Sequence, residues 1–103
     1  MTQFLKIDNR DYLVVTPGYK SIDASVSVEF KEKLINIIDE GNSYILIDLI
    51  NVRYIDSIGL AGLISILKNT KDSGDIALSN LSDTVKTYFR LTRMDRVFKL
   101  YNN

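Results

Sequence analysis

Two adjoining stretches decide the fold: Tyr44-Ile-Leu-Ile-Asp48-Leu49, and then Ile55-Asp56-Ser57-Ile58-Gly59-Leu60-Ala-Gly62-Leu63-Ile64-Ser-Ile-Leu67. The first is a run of apolar and β-branched residues, too short to span a membrane, and it reads as a strand buried on both faces. From Leu60 the period changes. Leu60, Leu63, Ile64 and Leu67 recur at i, i+3, i+4 and i+7, the spacing of one helix face. Asp56-Ser57 therefore stands where a loop becomes a helix, expected from about Ser57 to about Lys71. Serine is favoured at such a boundary because its oxygen can accept a free backbone N–H, so Ser57 is expected to cap the helix while staying exposed. Gly59 and Gly62 inside it each cost about 1 kcal/mol relative to alanine. That cost implies a close approach, by the sheet or by a partner surface.

Working outward, Phe4 to Asp8 and Tyr12 to Thr16 flank the turn-rich Asp8-Asn-Arg-Asp11 and read as a β-hairpin ended by Pro17-Gly18. Tyr19 to Asp23 reads as loop or a short extended piece. A helix follows, with Ser25 or Ser27 as its cap, Phe30, Leu34, Ile37 and Ile38 as its inward face, and Gly41-Asn42 as its stop. Beyond the central helix, Ile76 to Ser79 is a short strand. Asn80, Ser82 or Asp83 caps a third helix whose inward face is Val85, Tyr88, Phe89 and Leu91. Val97 to Tyr101 alternates as a last strand. The order β-β-α-β-α-β-α-β predicts an α/β fold with a mixed, mostly parallel sheet and three main helices, all in one domain over residues 1–103.

Composition removes whole classes of function. The 103 residues carry 13 basic and 13 acidic side chains, a formal charge of zero, which leaves no electrostatic footprint for nucleic acid or an anionic membrane. No apolar run reaches membrane-spanning length, and the N-terminus lacks the apolar core of a signal peptide, so a cytoplasmic location is expected. There is no cysteine, which excludes disulfides, thiolate metal sites and thiol nucleophiles. There is no histidine, which removes the commonest general base and metal ligand. A non-enzymatic protein without metal or cofactor is the expectation.

With the strand, Ile55-Asp56-Ser57-Ile58-Gly59-Leu60 and the helix in place, the chain resembles a STAS domain, and more narrowly the bacterial anti-sigma factor antagonists. Ile47-Asp48-Leu49, Val52, Ile22-Asp23 before the first helix, and Met94-Asp-Arg-Val-Phe98 before the last strand carry the resemblance further. It implies a protein-binding switch. An anti-sigma factor with serine kinase activity phosphorylates the serine of the Asp-Ser pair, here Ser57, and a PP2C-type phosphatase reverses it. The unmodified antagonist sequesters the anti-sigma factor. The resemblance implies Asp23, Asp56, Ser57, Ile58 and Gly59 as the partner-binding residues. The alternative is a constitutive STAS scaffold of a larger signalling assembly, with Ser57 only a cap and Ile58 a docking residue.

Three positions depart from the family pattern. Ile58 replaces the usual Ser or Thr, the stretch from Pro17 to Ser21 is lengthened and lacks a glycine just before Ile22, and Arg93 stands where glycine is common. Asp48 needs partners for its carboxylate inside an apolar strand and is expected near the strand end, accepting backbone N–H groups from the next loop. Its functional alternative, a phospho-accepting aspartate as in receiver domains, lacks the acidic pair and the later lysine that such sites use.

Overall fold

The computed structural model describes residues 3–70 and 73–101. Strands β1 (Phe4–Ile7) and β2 (Arg10–Val15) form the expected hairpin, antiparallel with Ile7 opposite Arg10. Asp8 and Asn9, the two residues between them, both take positive φ values of 51° and 67°. That is the type I′ geometry whose twist matches a two-residue hairpin. The extended piece before the first helix proves to be a two-residue strand, β3 (Ser21–Ile22).

Helix α1 (Ser27–Asp39) leads to β4 (Tyr44–Asp48), then β5 (Tyr54–Ile55), α2 (Ser57–Thr70) and β6 (Asp75–Ser79). Helix α3 (Asp83–Leu91), a 3-10 turn at Met94–Arg96 and β7 (Lys99–Tyr101) complete the order. The main sheet runs β1-β2-β4-β6-β7, parallel except for the hairpin, and β3 pairs with β5 in a separate parallel bridge. The expected α/β fold, a mixed and mostly parallel sheet with three helices, is what the chain adopts.

All three helices cover one face of the sheet. Ile45, Ile47, Ile76 and Leu78 pack there against Phe30, Leu34, Leu63, Ile66, Val85 and Phe89. The alternate strand positions Leu46 and Ala77 point the other way and are closed over by strand residues, chiefly Ile7 and Tyr12. So β4 is buried on both faces, though only one is covered by helices. Tyr12 meets Tyr44 edge-on at 5.5 Å, Arg10 lies 4.5 Å over the Tyr44 ring, and the Tyr12 hydroxyl donates to Asp75 at 3.3 Å. Burial, with the Asp75 charge second, raises the Tyr12 pKa. Lys99 reaches across this face to bond Asp8 on the hairpin turn.

Several local expectations need correction. Neither Ser25 nor Ser27 caps α1. Val26 occupies the cap position without a side-chain bond, and Ser27 is already the first helical residue. Leu91 is 79% exposed rather than inward, because it lies on the flank of α3 away from Val85 and Phe89. The last strand begins at Lys99, not Val97, because the 3-10 turn carries the chain through Arg96 and the Phe98 N–H still bonds Met94. Lys71, where the sequence ended the central helix, lies outside the described residues. Gly41-Asn42 does stop α1, their N–H groups returning to the carbonyls of Ile38 and Ile37.

Candidate functional site

The β3–β5 bridge builds the site. Ser21 pairs with Tyr54 and Ile22 with Ile55, so the next residues, Asp23 and Asp56, leave the bridge as neighbours. The Asp56 N–H donates back to the Ile22 carbonyl at 3.3 Å. Asp23 then opens the turn into α1, and Asp56 opens α2. The sequence thus sends two separate segments to one end of the sheet and starts a helix from each.

At α2 the cap is Asp56, which corrects the expectation for Ser57. One Asp56 carboxylate oxygen accepts the Gly59 N–H at 2.8 Å, while its backbone carbonyl accepts the Leu60 N–H at 2.9 Å. A carboxylate fits there, where the helix end carries partial positive charge. Ser57 is therefore the first helical residue. Its side chain is exposed, and no side-chain hydrogen bond among the described residues engages its hydroxyl. The first turn leaves the N–H groups of Ser57 and Ile58 without intrahelical acceptors. Ile58 stands beside it, 53% exposed.

Gly59 is buried, unlike Ser57 and Ile58 before it, and explains the unfavourable glycines. A Cβ on Gly59 would lie 1.9 Å from the Ile22 carbonyl oxygen, and one on Gly62 would lie 2.7 Å from the Ser27 hydroxyl. The Ser27 hydroxyl also donates to the Ile58 carbonyl at 3.4 Å. The close approach comes from the chain itself, by β3 and the first residue of α1, so Gly59 serves packing and is not an exposed contact. The first turn of α2 is clamped from below while its outer side stays open.

Asp23 accepts both the hydroxyl and the backbone N–H of Ser25, at 2.6 and 2.9 Å. The Ser25 hydroxyl bond, with the backbone bond next, holds the Asp23 pKa below its ordinary value. Asp48 ends β4 as expected, accepting the Ile50 N–H at 3.1 Å and the Asn80 amide at 2.9 Å. Asn80 takes a left-handed φ of 55°, which aspects of its short amide side chain tolerate. Among the described residues, no group of three or more acidic side chains is placed to hold a metal ion.

Sequence reading missed Ser25 and Ser27 as partners of Asp23 and Gly62, having assigned both to capping. It also missed Ile50 and Tyr54, which are exposed at this same end of the sheet. The available signal was weak: two large apolar residues in a short polar connection.

The family model for the STAS domain matches residues 6–103, and the chain belongs to that family. Its structure is similar to that of a Thermotoga maritima protein provisionally assigned as an anti-sigma factor antagonist. That similarity has a TM-score of 0.83 and 26% identity, covering 99% of this chain and 86% of that one. An anti-sigma-factor antagonist (STAS) domain protein from Planctomyces limnophilus has a TM-score of 0.77 at 17% identity, covering 99% and 90%. The anti-sigma factor antagonist SpoIIAA in its unphosphorylated form has a TM-score of 0.62 at 18% identity, covering 94% and 97%. The last two likenesses are of fold.

Proposed function

We propose that residues 1–103 form one STAS domain acting as an anti-sigma factor antagonist, switched by phosphorylation of Ser57. Unmodified, it sequesters an anti-sigma factor with serine kinase activity through Asp23, Asp56, Ser57 and Ile58, with Gly59 packed beneath them. A PP2C-type phosphatase restores the unmodified form. The domain is cytoplasmic, carries out no catalysis itself and uses no cofactor. Among the described residues no helix is long and apolar enough to cross a membrane.

The observation that carries this reading is the freed hydroxyl of Ser57. Asp56 has taken the cap, so phosphorylation of Ser57 breaks no structural hydrogen bond. A phosphate adds about −1.5 to −2 charge there. The helix end tolerates it, because N–H groups and the dipole favour an anion. A protein packed over Ser57 and the apolar Ile58 would instead bury that charge beside Asp56. Unpaired interfacial charge costs roughly 2–5 kcal/mol, or some 30-fold to several-thousand-fold in affinity. The clamp on the first turn supports a switch that works by charge, with the fold unchanged.

The exposure of Ile58 also favours the second reading, a constitutive scaffold that docks through Ile58. The two separate cleanly. Incubation with ATP and the cognate anti-sigma kinase is expected to add one phosphate, located at Ser57 by mass spectrometry and absent in Ser57→Ala. A kinase that binds the chain without modifying it, with binding indifferent to Ser57→Asp and lost in Ile58→Asp, would establish the scaffold instead.

A further inference from the structure

A net charge of zero hides an uneven distribution. Residues 86–99 hold five of the thirteen cations, Lys86, Arg90, Arg93, Arg96 and Lys99, against one acid, Asp95. The rest of the chain has eight cations against twelve acids. Lys99 is engaged by Asp8. The other four cations are exposed, and among the described residues no ion pair engages them. Lys86 and Arg90 lie one turn apart on α3 and line a cleft of about 240 Å³ with Asp95 and Leu100. Arg93 caps and Arg96 ends the 3-10 turn that leads from α3 into β7.

Beside this cleft the sheet ends. β7 pairs only with β6, so the backbone N–H and C=O groups on its outer side have no strand partner among the described residues. The position of β7 is fixed. Phe98, just ahead of it, is buried with its ring 6.0 Å from that of Phe89, and the Val97 and Phe98 N–H groups both bond the Met94 carbonyl at 3.0 Å. An open strand edge on a fixed backbone is a template for an added strand. Leu100 is level with Leu78, whose side chain packs under the helices. Alternate side chains of an added strand would therefore fall on the α3 side, toward Lys86 and Arg90. The opposite edge, β1, lacks this flank: its one cation, Lys6, is paired with Asp11. Nucleic acid suits the cleft less well. Asp95 opposes a phosphate there, no aromatic side chain lines it to stack a base, and a phosphate chain cannot use the donors and acceptors of a strand edge together.

We infer that the outer edge of β7 and the Lys86–Arg90 flank of α3 bind an extended acidic segment of another protein, which joins the sheet as a further strand. Main-chain bonds along β7 hold the segment, and its carboxylates meet Lys86 and Arg90 on the α3 side. β7 has three residues, about 10 Å of strand, so the main-chain bonds are few and the cations decide which segment stays. Arg93 and Arg96 add long-range attraction that salt screens. Ser57 does not line this cleft, and the inference does not depend on the proposed switch.

The test titrates the isotope-labelled full chain at low salt with a short blocked peptide of alternating glutamate and valine, followed by NMR. The expected result is saturable shifts concentrated in α3 and residues 93–101, with contacts between the peptide and the β7 backbone protons. The double variant Lys86→Glu, Arg90→Glu should bind at least about tenfold more weakly. Both positions are exposed, and thermal unfolding checks the variant's fold. Arg90→Gln alone, expected to weaken binding severalfold, decides the matter if the double variant does not fold. A matched peptide of lysine and valine should give no such shifts. Shifts elsewhere, no saturable binding, or equal affinity for the variants overturns the inference, and binding without contacts to the β7 backbone overturns the added strand. A short oligothymidylate that binds the same residues more tightly than the acidic peptide also overturns it, making this face a nucleic-acid surface.

Discussion

All three helix entrances in this domain carry a serine, and those of α2 and α3 use it differently. At α3, Ser82 sits at the cap itself. Its hydroxyl accepts the Val85 N–H at 3.2 Å and donates to the Arg53 carbonyl, so both of its capacities are committed to structure. At α2, Asp56 holds the cap and Ser57 follows as the first helical residue, exposed and free of structural duty. Between α3 and α2, a shift of one position separates a serine committed to the cap from one whose hydroxyl no side-chain hydrogen bond engages among the described residues. The acidic residue ahead of Ser57 is what makes the shift possible.

Stability measurements by urea denaturation can break or sharpen this contrast. The largest effect belongs to Gly59→Ala, whose new methyl group would collide with the backbone of Ile22. A loss of about 3 kcal/mol is expected from such overpacking, and a loss below about 1 kcal/mol would mean that α2 is not clamped. Ser82→Ala should cost about 1–2 kcal/mol through the lost cap. Asp56→Ala should cost about 1 kcal/mol for the same reason at α2. Ser57→Ala should stay within about 0.5 kcal/mol. Equal costs for Ser57→Ala and Ser82→Ala would erase the contrast.

The smallest effect is electrostatic and lies beside the α2 entrance. Asp23 should titrate below the ordinary carboxylate range by NMR, and Ser25→Ala should move it back up. The sign follows from linkage. A depressed carboxyl pKa contributes stability above the unfolded-state value, and that contribution is lost as pH falls through the lower folded value. Removing the Ser25 hydroxyl should therefore narrow the acidic window in which Asp23 affects stability.

The strand-to-helix change of period at Tyr44 to Leu67 was legible in the sequence because burial imposes it on every turn of the chain. The hairpin, the three helices and the end position of Asp48 were legible for similar reasons. Capping was not. Ser25, Ser27, Ser57 and Asp56 all suit a helix start, and which one takes the N–H depends on where the β3–β5 bridge releases the chain. That bridge has only two residues per strand, too few to leave a period. Arg93 shows the same limit from the other side. Its φ of 63° explains why a glycine suits that position, yet arginine occupies it. The partner of Gly59 was hidden too, since a glycine records that something comes close without recording what.

The most direct measurement titrates the anti-sigma kinase into the protein before and after phosphate is placed on Ser57, with thermal unfolding followed on both forms. A charge switch on a free hydroxyl predicts binding weakened at least about 30-fold by the phosphate, with the melting temperature nearly unchanged. Equal affinity for both forms, or a phosphorylated protein that has lost its fold, would contradict it.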